Sequence, residues 1–303
     1  MVRKLRDTTC IAVIFITHRL HEVLEICDKV TVMRNGEIVG ELDVTPELEV
    51  STIINLMLGR SFDENFPKSD LHPGEVAFVV KGLSDTENFV RDVSLNVREG
   101  EIIGLSGLVG AGKTELCKLM FGAMKKSAGT MTYKGKVLSV KNPTDAVNNR
   151  MGFVPEERRK EGVLVDESVT HNLSAASLQD YSNNPLRFVN RKAELANAEM
   201  YVEKLNIVTP SVYQLVRYLS GGNQQKVAVG KWLSADCDVY IFDEPTKGVD
   251  VGAKHDIFRL IQDIAEQGKC VIYATSETAE ILSITDRTYV MYDGRITAEL
   301  VTK

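Results

Sequence analysis

The chain has 303 residues, a net charge of −6 at pH 7, 44% hydrophobic and 26% charged residues, the make-up of an ordinary globular protein with material for one or two domains. That balance argues against a general nucleic-acid binder, and the longest apolar runs, such as residues 11–16, are far too short to cross a bilayer. There is no signal-peptide pattern, the five cysteines include no CxxC, and the five histidines lack metal-ligand spacing, so a cytosolic chain with reduced thiols is expected, any membrane role coming through a partner.

In chain order, residues 13–42 come first as a repeat unit. They align without gaps on residues 271–300, with thirteen of thirty positions identical. Each copy reads as a buried strand, an amphipathic helix and two short strands around a turn (Asn35-Gly36, Asp293-Gly294). A helix over 50–58 follows, then a linker over 59–74 that holds Pro67, Pro73 and Gly74. Strands are expected over 76–80, 90–97 and 102–105, and a helix over 115–120. Residues 131–133 and 136–138 flank a turn at Gly135, and 165–236 is mostly helical in pattern, with a polar break at 181–185. Residues 238–243 form an apolar run ending in acid, 255–267 an amphipathic helix, and 270–274 a buried strand. Strands alternating with helices predict an α/β fold with a mostly parallel central sheet. The second repeat copy closes a long unit; the first has nothing comparable before it. The expectation is the tail of one domain (1–58), the linker, and one complete domain of the same kind (75–303).

Between the strand at 102–105 and the helix at 115–120 lies Gly107-Leu108-Val109-Gly110-Ala111-Gly112-Lys113-Thr114-Glu115. The glycines let backbone amides face an anion, Lys113 reaches outer phosphates, the Thr114 hydroxyl can ligate Mg2+, and the helix start adds partial positive charge. Asp243 and Glu244 end an apolar strand, where an open α/β sheet places ligand groups. Asp243 suits a partner to the metal and its water, Glu244 a base for the attacking water. Leu219-Ser220-Gly221-Gly222-Asn-Gln-Gln-Lys226 opens another helix and is a second anion site or a simple helix cap.

Together with Asp243-Glu244-Pro245-Thr246 and Gly248-Val-Asp250, these segments resemble the nucleotide-binding subunit of an ABC transporter, a P-loop NTPase with an antiparallel β subdomain and an α-helical subdomain, here over about 157–236. The wording is closest to bacterial monosaccharide importers of the ribose, galactose, xylose and arabinose type, through Leu-Ser-Gly-Gly-Asn-Gln-Gln-Lys, Gly248-Val-Asp-Val-Gly-Ala-Lys254 and Gly152-Phe-Val-Pro-Glu-Glu-Arg-Arg-Lys-Glu-Gly162. The resemblance implies ATP and Mg2+ as ligands. It implies Ser220, Gly221 and Gly222 as the loop that grips the γ-phosphate on a facing domain, and Asp250 as the aspartate that crosses that interface. Glu156 falls where a lid-loop Gln usually touches Mg2+ and senses the membrane partner. Ser276 stands at the switch-histidine position, which His18 fills in the first repeat copy. Phe89 is either the aromatic that stacks on adenine or a core residue beside Val90.

The implied role is an ATPase subunit that energises sugar import from the cytoplasmic face of the inner membrane, with integral permease subunits and, indirectly, a periplasmic sugar-binding protein. The alternatives are an ATP-binding module with little or no hydrolysis, or a soluble ABC ATPase of repair or translation, which the acidic charge disfavours. Ser276 for histidine and Glu156 for a neutral amide predict tight ATP binding with slow hydrolysis. One phosphate loop and one signature loop on a single domain cannot close one sandwich, so a second nucleotide-binding domain in trans is expected.

Overall fold

The computed structural model describes residues 11–17, 20–34, 36–58, 73–182 and 188–302. The chain divides into two compact units, one of Met1–Phe66 with Asp250–His255, the other of Pro67–Val249 with Asp256–Lys303.

In the first unit, helix α1 (Leu20–Ile26) leads into the antiparallel hairpin β1 (Lys29–Arg34) and β2 (Glu37–Asp43), and helix α2 (Val50–Leu58) follows. Leu20, Val32, Ile53 and Ile54 form a small core, with Leu24, Leu42 and Leu56 packed against it. Gly40 permits that packing, since a Cβ there would come within 2.9 Å of a Leu56 methyl. The strand expected from residue 13 onward does not form. Residues 13–17 carry no regular structure, and Ile14 and Ile16 are 90% and 93% exposed. A parallel strand needs neighbours on its edges to pair its amides. Among the described residues this unit offers only the β1–β2 pair, each satisfying the other. His18 and Asn35 lie outside the described residues, as do 59–72 of the expected linker.

The second unit is built around a six-stranded sheet. Its elements in order are β3 (Val76–Asp85), β4 (Val93–Arg98), β5 (Ile102–Ser106), α3 (Lys113–Met120), β6 (Lys126–Tyr133), β7 (Lys136–Leu138), α4 (Pro143–Asn148), β8 (Met151–Val154), α5 (Val169–Ser174), α6 (Arg191–Lys204), α7 (Gly221–Ser234) and β9 (Val239–Asp243). Helix α8 (Val251–Glu266), which belongs to this unit from Asp256 on, β10 (Cys270–Thr275), α9 (Thr278–Ile284), β11 (Arg287–Tyr292) and β12 (Arg295–Val301) follow. The sheet order is β12-β11-β5-β10-β9-β8, parallel throughout except for the β11–β12 hairpin. β10 and β9 are buried on both faces, which explains their uninterrupted apolar runs. A second, antiparallel sheet has the order β4-β3-β6-β7. The α/β class with an antiparallel β layer is therefore as expected.

The expected strand over 90–97 begins only at Val93. Asp92 adopts a left-handed φ of 53°, and its amide is taken by the Ser84 hydroxyl at 2.9 Å, so the chain turns before pairing resumes. Helices α5, α6 and α7 occupy the stretch expected to be helical; residues 183–185 of its polar break are not among those described.

Candidate functional site

β5 delivers the chain to residues 107–112, and α3 starts at Lys113. Gly110 and Gly112 have φ of 82° and 98°, conformations that a side chain resists by about 1–2 kcal/mol. Gly112 also has no room: a Cβ would lie 3.0 Å from the Phe89 carbonyl and 3.2 Å from Gly294 Cα. The loop is braced from outside by the turn between β11 and β12. Gly294 donates its amide to the Ala111 carbonyl (3.0 Å) and accepts from Arg91 N (2.8 Å). Lys113 is buried, with Nζ donating to the carbonyls of Gly107 (2.7 Å) and Leu108 (3.2 Å), so the ammonium is pinned across its own loop. Leu108 and Val109 at the loop tip are 77% and 92% exposed. Glu115 lies in the first turn of α3. Phe89 is half exposed beside the loop while Val90 is fully buried, so Phe89 is not the core residue of the pair.

Thr114 Oγ1 donates to Asp243 Oδ1 at 3.2 Å, which brings the phosphate loop to the acidic end of β9. Asp243 is wholly buried, and its Oδ2 has no hydrogen-bond partner. Burial pushes its carboxyl up to about 7; the Thr114 hydroxyl opposes the shift, and the charges of Glu156 and Glu244 add to it. A buried carboxylate oxygen without a donor is costly unless a cation faces it. The donor set, one hydroxyl and one carboxylate, is the hard oxygen pair that Mg2+ accepts alongside phosphates and water. Among the described residues no cluster of three or more His, Cys, Asp and Glu side chains forms a metal site, and Mg2+ bound in this way needs none. The residues fit the ion.

Glu244 has a left-handed φ of 46°, unusual for a side chain of its size. Its amide donates to the Ala274 carbonyl at 2.8 Å. One carboxylate oxygen, Oε1, accepts the Ser276 amide at 2.7 Å, and Oε2 accepts the Thr275 hydroxyl at 3.1 Å. Bonds to a charged acceptor contribute about 1.5–3 kcal/mol each, enough to outweigh a backbone cost of about 1–2 kcal/mol. Ser276 therefore reaches Glu244 through its backbone, and its side chain is exposed.

Glu156 Oε1 is paired with Lys247 Nζ, so its charge is engaged by the loop that follows Glu244. Arg158, which sequence reasoning passed over, donates to the carbonyls of Lys247 (2.9 Å) and Gly248 (3.4 Å). Its Nη2 lies 2.8 Å from where a Gly221 Cβ would be, so a side chain there would have to displace the guanidinium. Lys118 of α3 pairs with Glu161 at 2.9 Å, tying the 156–162 segment to the phosphate-loop helix as well. The only sequence signal for Arg158 was its place in Glu-Glu-Arg-Arg-Lys.

Ser220, Gly221 and Gly222 form a separate locus at the start of α7. The Ser220 hydroxyl accepts the Asn223 amide (3.4 Å) and its Nδ2 (2.9 Å), while Asn223 Oδ1 accepts Val208 N (2.9 Å). The side chain of Asn223 thus staples the helix start to the loop after α6. Lys226, nearly buried, pairs with Asp256 Oδ2 at 2.8 Å and donates to the Asn206 carbonyl at 3.0 Å. Asp250 accepts the Ala253 amide at 2.9 Å and caps the start of α8. The structure thus brings together residues 107–115, Asp243, Glu244 and Ser276; Ser220 and Asp250 cap the starts of their own helices, and Gly221 and Gly222 are the first residues of α7.

A family model described as ABC transporter matches residues 90–247, about half of the chain. The ribose import ATP-binding protein RbsA of Clostridium tetani is 40% identical over 290 residues, covering 96% of this chain and 57% of that protein. RbsA 1 of Rubrobacter xylanophilus is 43% identical over 300 residues, 99% of this chain and 59% of its own length. The chain thus spans less than two thirds of the curated relatives it matches. Among solved structures, a nucleotide-free ATP-binding cassette from an ABC transporter aligns with a TM-score of 0.63 at 22% identity, covering 74% of this chain and 91% of the cassette. The cassette MJ0796, in a dimeric post-hydrolysis state bound to ADP and Pi, aligns at 0.64 with 18% identity, covering 75% of this chain and 99% of its own. These two show a shared fold.

Proposed function

Because the chain belongs to the ABC transporter family, we propose that its second unit binds ATP on residues 107–115 and hydrolyses it with Glu244, as part of an ATP-binding subunit for import of a monosaccharide. The observation that carries this reading is the meeting of Thr114 with Asp243, whose second oxygen is buried and unpartnered. Thr114 and Asp243 would hold Mg2+, which supplies charge neutralisation on the phosphates. The loop amides and Lys113 bind and orient the triphosphate. Glu244, held by Ser276 N–H and the Thr275 hydroxyl, is aimed to take a proton from water. Phe89 stacks on the adenine, and Glu156 reports through Lys247 on a membrane partner. Ser220, Gly221, Gly222 and Asp250 serve a nucleotide on a second nucleotide-binding domain in trans.

No helix among the described residues is long and apolar enough to cross a membrane. Permease subunits would provide the passage, with this chain on the cytoplasmic face of the inner membrane and a periplasmic binding protein delivering sugar. The domain division that fits this reading assigns 1–58 to one nucleotide-binding domain, 59–74 to a linker and 75–303 to a second, with its helical subdomain at about 157–236.

The test is phosphate release from ATP at rising protein concentration. Specific activity is expected to climb with concentration, as pairing in trans requires. Lys113→Ala should abolish ATP binding, and Glu244→Gln should keep binding while losing turnover by about 100-fold or more. Turnover that survives both substitutions would contradict the reading.

A further inference from the structure

We propose that Glu280 is a positioning residue for the hydrolytic step, acting on Glu244 through the Thr275 hydroxyl. The inference rests on the reading of Glu244 as the base. Glu280 lies on α9, is 2% exposed, and sits at the hub of a buried network. Its Oε1 accepts the Thr246 hydroxyl at 2.6 Å. Its Oε2 accepts the Tyr273 hydroxyl at 2.5 Å and the Thr275 hydroxyl at 3.0 Å. A buried carboxyl costs several kcal/mol unless its oxygens are bonded, and here each oxygen has at least one hydroxyl donor.

Two of those donors flank the base. Thr246 is two residues beyond Glu244, on the turn that Glu244 enters with its left-handed backbone. Thr275 touches the Glu244 carboxylate itself, 3.1 Å from Oε2. The turn is thus gripped on one side by Thr246–Glu280 and on the other by Glu244 N–Ala274 O at 2.8 Å. The side-chain direction of Glu244 is set by Thr275 and by Ser276 N–H. The Thr275 hydroxyl oxygen also accepts the Glu277 amide at 3.1 Å, which holds one of its lone pairs toward that N–H and leaves its proton to point elsewhere. Its one proton is shared between two carboxylates, Glu244 at 3.1 Å and Glu280 at 3.0 Å, so Glu280 holds the hydroxyl in place beside the base.

The repeat repeats the device. Thr17 and Glu22 align with Thr275 and Glu280, and Thr17 Oγ1 donates to Glu22 Oε2 at 3.3 Å in the first unit. The Thr–Glu pair forms there although residues 13–17 are not in a strand, so it is a local interaction between a segment and the helix that follows it.

The experiment compares Thr275→Val, Thr275→Ser and Glu280→Gln in the full chain, measuring ATP affinity, kcat and melting. Thr275→Val removes the hydroxyl and keeps the shape. It should lower kcat by about tenfold or more, the loss expected for one bond to a charged acceptor, with ATP affinity unchanged within about twofold. Thr275→Ser should recover most of that loss. Glu280→Gln should lower kcat in the same sense, and the double variant Thr275→Val, Glu280→Gln should lose less than the two single losses combined, since part of the Glu280 effect runs through the Thr275 hydroxyl and the rest through Thr246. Equal kcat in parent and Thr275→Val, or fully additive losses, would overturn the inference while leaving the proposed function intact. Should the parent lack turnover, the proposed function fails, and carboxyl-carbon NMR decides the inference separately. The Glu244 signal, assigned with Glu244→Gln, should move in Thr275→Val and Glu280→Gln and stay put in Thr275→Ser; an unmoved signal in all three contradicts it.

Discussion

The two copies of the repeat share sequence and local form but differ in what surrounds them. In both, a seven-residue helix precedes an antiparallel hairpin: Leu20–Ile26 before β1–β2, and Thr278–Ile284 before β11–β12. The hairpins share one register. Lys29 faces Asp43 as Arg287 faces Val301, and both slip at the same place, Val32/Met33 and Val290/Met291. Yet residues 13–17 are irregular, whereas the matching β10 is fully buried between β5 and β9. Helices and hairpins close with contacts near in sequence, so they form wherever the pattern occurs. A parallel strand draws its partners from far along the chain, and only the second unit supplies them.

The comparison can be broken most sharply at matched positions in the two strand segments. Ile272 is fully buried in β10 and Ile14 is 90% exposed. Ile272→Asp should cost about 4 kcal/mol or more by burying an unpaired charge, and Ile14→Asp within about 0.5 kcal/mol. Urea denaturation checks both; similar costs would mean that residues 13–17 are buried in solution.

The hairpin turns offer a second pair. Gly36 and Gly294 both have left-handed φ, 86° and 72°. Nothing lies within 4 Å of a Cβ at Gly36, while one at Gly294 would overlap the Phe89 carbonyl at 2.2 Å. Gly36→Ala should therefore cost only about 1 kcal/mol of backbone strain. Gly294→Ala should cost about 3 kcal/mol and weaken ATP binding, because the turn braces the phosphate loop. Melting and nucleotide titration on both variants would show whether that brace matters.

Asp243 marks what the second unit gives up for function. Its carboxyl titrates near 7 rather than at the ordinary carboxylate value, so between these limits the folded state holds more protons than the unfolded one. Stability of the ligand-free, Mg2+-free chain should fall as pH rises from about 4 to about 7. Asp243→Asn should flatten that fall and raise Tm at pH 8 while abolishing turnover. A variant that melts lower at pH 8 would contradict the assignment of the strain to this carboxyl. A smaller effect is expected at Ser276, where the side chain is exposed and idle. Ser276→His should raise kcat by a factor of about five, within the range of an added imidazole, and unchanged turnover would count against the slow-site reading.

The phosphate loop and the acidic end of β9 were legible in the sequence because each is a local pattern: glycines, a lysine and a hydroxyl between a strand and a helix, and acids ending an apolar run. The central parallel sheet was legible for the same reason, from its continuous apolar strands. Arg158 and the Glu280 network were not, since each takes its role from partners far away in sequence, Gly221 and Gly248 for Arg158 and Thr246 for Glu280. The late start of β4 was hidden too, because a left-handed Asp92 looks like any polar residue in an alternating run. The strand expected at 13–17 shows the converse: pattern alone predicts a strand that its surroundings do not complete.

The most direct measurement is calorimetric titration of ATP into the parent chain and Asp243→Asn, each with and without Mg2+. Thr114 and Asp243 as the metal's protein partners predict that Mg2+ tightens ATP binding by about tenfold or more in the parent and has little effect in the variant. The same Mg2+ effect in both chains would show that the buried carboxylate oxygen of Asp243 does not face a cation, and would contradict the account of the site.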